Sequence, residues 1–306
     1  MDGRACGGTG PVVVQVRLGI VTPVVTLLPR AHGAWERDAG LDEIAAVGEA
    51  ADRLGYDHLT CSEHVAVPHD VAEVRGTRYW DPLATFGYLA ARTTRIRLAT
   101  HVLVLGYHHP LDIAKRYGTL DRVCGGRLIL GVGVGSLREE FDLLGARFDD
   151  RGARADDALR ALRVSLSRRE PAYDGEHFRY EGLVVDPCSV QDQVPIWIGG
   201  RTARSLRRAI DLADGWTPFG LRPEELGPML ARARSTAAWE RRTRPLEVVL
   251  APERALDPAG DPDRARQLAT ELIDVGATAL NLRFVSYSLD HYREQLEAMA
   301  GLGSEM

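Results

Sequence analysis

Eight segments with strand character, each followed by a segment of helical periodicity, predict an α/β fold, a (β/α)8 TIM barrel rather than an open sheet. The alternation runs the length of the chain, and nothing in it reads as a linker or a second domain. The 306 residues exceed a minimal barrel of roughly 250 residues. The excess is assigned to a lead at residues 1–15 and an insertion at about residues 171–193, leaving 16–306 as one domain.

The lead, which opens MDGRACGGTGP, lacks an apolar signal core and reads as disordered. Residues 16–22 (VRLGIVT) form the first strand. A loop with Pro29, Gly33 and Gly40 then leads to a helix over 41–54, closed by Gly55. Residues 58–64 are the second strand, followed by a long loop over 65–79. Asp81 caps the next helix and Pro82 opens it. Residues 97–105 (RLATHVLVL) are the third strand, and Pro110 starts a helix running to about residue 123. Gly125 and Gly126 reset the chain before the fourth strand, 127–135 (RLILGVGVG), with helical patterns around 139–144 and 153–166. The segment 171–193 fits a hairpin or loop better than a barrel element. In the fifth strand Val194, Ile196 and Ile198 precede a stop at Gly199 and Gly200; Leu206, Ala209, Ile210, Leu212 and Ala213 then recur at helical spacing. Residues 214–219, 246–250 and 279–285 complete the eight.

Composition narrows the function. A net charge of -5 disfavours nucleic acid as a partner, and no stretch reaches the apolar length of a membrane span. Cys6, Cys61, Cys124 and Cys188 are scattered without a CxxC pair, which argues for reduced, cytoplasmic thiols and against a zinc site. The HExxH pattern is absent as well, so no metal is expected. Lys115 is the single lysine and sits in a helical pattern, which sets aside Schiff-base chemistry.

Barrel chemistry sits at the C-terminal ends of the strands. The second strand ends in Ser62, Glu63 and His64: Glu63 is a hydrogen-bond acceptor, and His64 a general acid or base, or else the two anchor a loop. In the third strand His101 alternates with Leu103 and Leu105, the pattern of a satisfied interior group, while His108 and His109 lie nearer its exposed end. The fourth strand ends in Gly131, Gly133, Gly135 and Ser136, which is not the dinucleotide fingerprint. Alternate glycines clear one strand face for a flat ring or fit a tight barrel interior. After the fifth strand, Gly199 and Gly200 allow a sharp turn, Thr202 or Ser205 caps the helix, and Arg201 adds a fixed positive charge. That helix N-terminus suits a phosphate. A flat aromatic ligand with a phosphate at one end, such as a flavin or deazaflavin, accounts for the set.

Three stretches, GLDEIAAVGEAADRLGYDHLTCSEH, THVLVLGYHHPLDIAKRYGTLDRVCGGRLILGVGVGSLREEF and PIWIGGRTARSLRRAIDLADGW, resemble the bacterial luciferase-like monooxygenase superfamily, in its branch of F420-dependent oxidoreductases of actinobacteria. The resemblance covers the chain from Val16 to its last helix. It implies a barrel that binds the deazaflavin F420, with hydride moving at C5 between the coenzyme and a small-molecule substrate. It places Glu63 and His64 as catalytic residues beside the ring and a non-proline cis peptide between His101 and Val102 behind it. Gly135 and Ser136 would line the ring edge or ribityl chain. Gly199, Gly200, Arg201 and Thr202 would take the phosphate.

Two departures stand out. F420-dependent glucose-6-phosphate dehydrogenases carry a glutamate where this chain has Ser136 and a tryptophan where it has Pro68, so sugar oxidation is not expected. Arg283, in the eighth strand, is read first as a salt-bridged barrel arginine and second as a contact for an anionic substrate or cofactor tail. The loop 65–79 and the insertion are expected to shape the substrate pocket. The alternatives are an FMN-dependent monooxygenase served by a separate flavin reductase, and a catalytically silent flavin-binding barrel. A homodimer is compatible with each.

Overall fold

The computed structural model describes residues 16–306 except Arg30 and Glu305. The expected disordered lead lies outside the described residues. The strands are β1 (Arg17–Val21), β2 (His58–Cys61), β3 (Arg97–Thr100), β4 (Leu103–Val104), β5 (Leu128–Gly133), β6 (Tyr173–Asp174), β7 (Arg179–Tyr180), β8 (Ile196–Gly199), β9 (Gly215–Thr217), β10 (Glu247–Leu250) and β11 (Ala279–Leu282). All but β6 and β7 join one parallel sheet in the order β3-β2-β1-β11-β10-β9-β8-β5-β4. Pairing of Leu98 with Leu128 and of Ala99 with Ile129 closes it. β3 and β4 are two pieces of one predicted strand, so the closed barrel has the eight staves that the sequence predicts.

Local chemistry sets the boundaries. Gly55 ends the helix Leu41–Leu54 at φ +82, a conformation open to glycine without penalty. Asp81 accepts from the amide of Ala84 at 2.9 Å and so caps the helix Pro82–Arg92. Thr202 and Ser205 cap the helix Ala203–Leu212 reciprocally, each side chain accepting from the other's amide at 3.2 Å.

Two apolar regions hold the barrel. The larger lies between strands and helices, where Ile20, Leu59, Leu98, Leu130, Ile198 and Leu280 are fully or almost fully buried. The smaller fills the barrel interior with Ala99, Ile129, Trp197, Val249 and Ala279. Around it the lower barrel carries polar pairs: Trp197 Nε1 donates to Glu247 at 2.9 Å, and Arg97 donates to Asp57 at 2.5 Å. His58 occupies the space beside Gly19, where a Cβ would lie 2.1 Å from the imidazole.

The insertion is a loop carrying the short antiparallel hairpin of β6 and β7. Asp157 binds it at one end, accepting from the amides of His177 and Phe178. Asp121, fully buried, binds the other end by accepting from the Ser189 hydroxyl, the amides of Val190 and Gln191 and the Gln191 side chain. These bonds tie the segment to the outer helices Pro110–Val123 and Arg151–Ser165.

Glycines in crowded and in open places should respond oppositely to a methyl group. A Cβ on Gly131 would meet the Thr100 carbonyl oxygen at 1.9 Å, whereas Gly87, inside a helix, has open space around it. Gly131→Ala is expected to lower the unfolding free energy by about 1–3 kcal/mol. Gly87→Ala is expected to raise it by roughly 0.5–1 kcal/mol. Urea titrations of the two variants check both signs.

Candidate functional site

The site begins where the third stave breaks. The His101–Val102 peptide is cis, as the family resemblance implies, and regular strand resumes only at Leu103. Residues at the end of β2 stitch this bulge in place. The His101 amide donates to the Cys61 carbonyl and the Ser62 hydroxyl to the His101 carbonyl, both at 2.7 Å. Glu63 accepts from the Val104 amide with one oxygen and pairs with His108 Nε2 through the other, also at 2.7 Å. Both carboxylate oxygens of Glu63 are thus committed to the bulge and its flank.

The bulge re-aims two side chains. Val102 lies against the strand-four and strand-five glycines: a Cβ on Gly133 would come 2.7 Å from its Cγ2, and one on Gly199 2.8 Å from its Cγ1. Gly133 and Gly199 therefore make room for Val102, while Gly131 faces the Thr100 carbonyl and Gly135 faces Phe141. His101, instead of continuing the alternation with Leu103 and Leu105, reaches across to Thr217 Oγ1 at 2.9 Å. Burial, reinforced by His58, lowers its pKa to about 4, so the imidazole is neutral at physiological pH.

His64 has a partner that the sequence did not suggest. Its Nδ1 lies 2.7 Å from Glu140, a fully buried residue in the helix Arg138–Leu143. Glu140 also accepts from the Tyr107 hydroxyl and from the amides of Val65 and Ala66. Burial pushes its carboxyl upward, yet the hydrogen bonds from His64, Tyr107 and Ala66 outweigh that and hold it below the usual carboxylate range. An ionised Glu140 accepts a hydrogen bond from Nδ1–H, which keeps the proton on Nδ1 and leaves Nε2 as the working nitrogen of His64. Tyr79 packs edge-on against the ring at 4.6 Å.

The glycine turn lies at the same end of the barrel. Gly200 has φ +112, and its carbonyl accepts from Trp216 Nε1 and from the Ser205 hydroxyl. In the following helix the amides of Ala203 and Arg204 precede the first intrahelical bond, and no acidic side chain occupies the first turn. Such an end favours an anion. Arg201 is exposed and stacks over Phe219 at 5.7 Å. Gly135, at φ +77, accepts through its carbonyl from Arg151; exposed Ser136 accepts from Arg75 at 3.3 Å.

A cavity of about 410 Å³ opens at the barrel mouth, lined by the loop after β1 and by the ends of β9, β10 and β11. Ser62 and His101 form its edge toward the bulge, and Phe219 and Gly220 its edge toward Arg201. His64 and the turn from Gly199 to Thr202 do not line this cavity. The insertion does not reach it either, because Asp121 and Asp157 hold that segment to the barrel's outer wall. The loop 65–79 also stays outside; it contains the short helix Ala72–Arg75 and covers His64 through Tyr79. Arg283 does line the cavity, and no carboxylate among the described residues lies within ion-pair distance of it, so the salt-bridged reading is corrected. Glu140 escaped notice because it pairs with a residue 76 positions away and the sequence offers only an acidic pair in an amphipathic helix.

Two measurements test this geometry without turnover. Imidazole 15N shifts at neutral pH should report His64 with its proton on Nδ1, and Glu140→Ala should move population to the Nε2–H tautomer. The second follows from His101, whose folded pKa of about 4 lies below its ordinary 6.5. The unfolded chain takes up this proton first as pH falls, so stability is full above 6.5 and declines toward 4. His101→Asn should flatten that decline by about one proton, measured as unfolding free energy against pH.

A family model described as luciferase-like monooxygenase matches residues 22–305. An uncharacterized protein of Mycobacterium tuberculosis is 29% identical over 214 residues, covering 66% of this chain and 74% of that protein. An F420-dependent glucose-6-phosphate dehydrogenase of Microbacterium testaceum is 30% identical over 202 residues, 63% of this chain and 57% of that protein. The chain thus spans little more than half of that dehydrogenase. Among solved structures, monooxygenase RslO1 from Streptomyces bottropensis superposes with a TM-score of 0.73 at 20% identity, covering 93% of this chain and 98% of that one. The coenzyme F420 dependent tetrahydromethanopterin reductase from Methanopyrus kandleri gives 0.71 at 15% identity, with 94% and 98% covered. The structures share the fold and the family model spans nearly all of the described chain, which therefore belongs to the luciferase-like monooxygenase family of oxidoreductases.

Proposed function

We propose that the protein is an F420-dependent oxidoreductase acting on a small organic substrate at the barrel mouth. The observation that carries this reading is the seat of Val102 against Gly199, the first residue of the glycine turn. It makes a floor for a flat ring continuous with a helix end suited to a phosphate. When bound, the deazaflavin supplies or accepts a hydride at its C5 position.

The protein's own groups have separate tasks. Val102 and His101 back the ring, with Gly135 and Ser136 along its edge or ribityl chain. Gly199, Gly200, Arg201 and Thr202, together with the amides of Ala203 and Arg204, hold the phosphate. His64 gives or takes a proton through Nε2, and Glu140 fixes its tautomer. Glu63 is a positioning residue, since its two oxygens hold the bulge. Relatives named F420-dependent glucose-6-phosphate dehydrogenases, at 29–30% identity, favour F420 over FMN. By the family resemblance, Ser136 and Pro68 stand at positions where sugar oxidation calls for a glutamate and a tryptophan, which argues against glucose 6-phosphate as the substrate.

Fluorescence titration of the purified protein with F420 and, in parallel, FMN tests the reading. F420 is expected to bind at least tenfold more tightly. Preference for FMN would replace it with a two-component monooxygenase supplied by a flavin reductase, and binding of neither would overturn the assignment of the glycine turn.

A further inference from the structure

The mouth cavity is apolar in its walls and polar at a few fixed points. Phe219, Leu221, Pro218 and Phe284 supply the walls. Asn281 and Arg283, two residues apart and so on the same face of the chain as it leaves β11, both reach the cavity. The backbone of Arg283 is held in place: its carbonyl accepts from Leu256, and Val285 donates back to the Leu256 carbonyl, both at 2.8 Å.

Four polar atoms of this cavity lack a partner among the described residues. The hydroxyls of Thr22, Thr26 and Tyr292 and the amide oxygen of Asn281 are buried with no hydrogen-bond partner among the described residues. Thr22, Asn281 and Tyr292 are each at most 2% exposed. Buried polar groups are normally paired, so four such atoms around one cavity mark a place built for a ligand. Among the described residues the half-buried Arg283 guanidinium makes one hydrogen bond, long at 3.4 Å, to the Glu253 carbonyl. A guanidinium withdrawn from water without a counter-charge calls for an anion in bidentate reach.

The surrounding charges specify which anion. Glu36 is committed to the amides of Val24 and Gly33, and Glu225 to Arg222, while Glu253 stands exposed at the rim. Arg222, which also lines the cavity, and Glu225 offset each other, and one uncompensated cation beside Glu36 and Glu253 suits a single negative charge and repels a phosphate dianion. Resting on the oxidoreductase reading for the word substrate, we propose that the cavity takes a small monocarboxylic acid. Its carboxylate meets Arg283, its body lies against Phe219 and Phe284, and a hydroxyl or carbonyl elsewhere on it meets Thr22 and Asn281.

Benzoate serves as the probe and benzamide as its uncharged isostere, with binding to the cofactor-free full chain followed by calorimetry and saturation-transfer NMR. Benzoate is expected to bind at least tenfold more tightly than benzamide. Arg283→Gln should remove that preference, Arg283→Lys should keep part of it, and F420 affinity should be unchanged in both; thermal melts verify folding. Equal binding of benzoate and benzamide, or undiminished benzoate binding by Arg283→Gln, overturns the proposal. So does an Arg283→Gln variant that loses F420 and keeps benzoate, which would give the guanidinium to the coenzyme's acidic tail. Wild-type protein that binds benzoate through Arg283 but neither F420 nor FMN would uphold the carboxylate site and sink the oxidoreductase reading instead.

Discussion

The mouth of this barrel depends on the hydrogen bond from the Val104 amide to Glu63. In a regular stave, backbone groups at this level would pair with those of the neighbouring strand. Here Ser62 and Glu63 supply side-chain partners instead, for the carbonyl of His101 and the amide of Val104, and the backbone between them is free to leave the ladder. That release puts Val102 over two glycines and turns His101 toward Thr217. The ring floor, the cavity edge and the seat of the glycine turn all follow from two side chains that replace ladder bonds.

Two glutamates illustrate how burial and partners divide roles that composition leaves alike. Glu63 spends both oxygens on structure. Glu140 is equally saturated, but one of its partners is a catalytic candidate, so its charge sets where the His64 proton resides. Neither carboxylate is free to reach a ligand. The reactive element near them is the imidazole, and the surrounding protein fixes its chemistry.

Much of this was legible in the sequence, because it is locally determined. The eight strands, the Asp81 cap, the Gly55 terminus and the turn at Gly199 and Gly200 depend on neighbours within a few residues. The motif after β2 and the position of the bulge were legible through the family resemblance. What escaped were long-range pairings. Glu140 meets His64 only after three strands have closed, and the insertion, whose sequence fits a cover for the mouth, is bound to the outer helices by Asp121 and Asp157. Arg283 shows the same effect in reverse, since typical barrel behaviour predicts a salt bridge and no carboxylate among the described residues comes within ion-pair distance of it.

Val102 and the two glycines beneath it have a consequence for how this protein can vary. Because a methyl group at 133 or 199 would overlap the valine, the three positions form one inheritable unit. A descendant can deepen the floor by shortening residue 102, and only then does it gain the freedom to place side chains at 133 and 199. Changed in the other order, each intermediate is overpacked. Drift at this spot is therefore directional, with the middle residue obliged to change first.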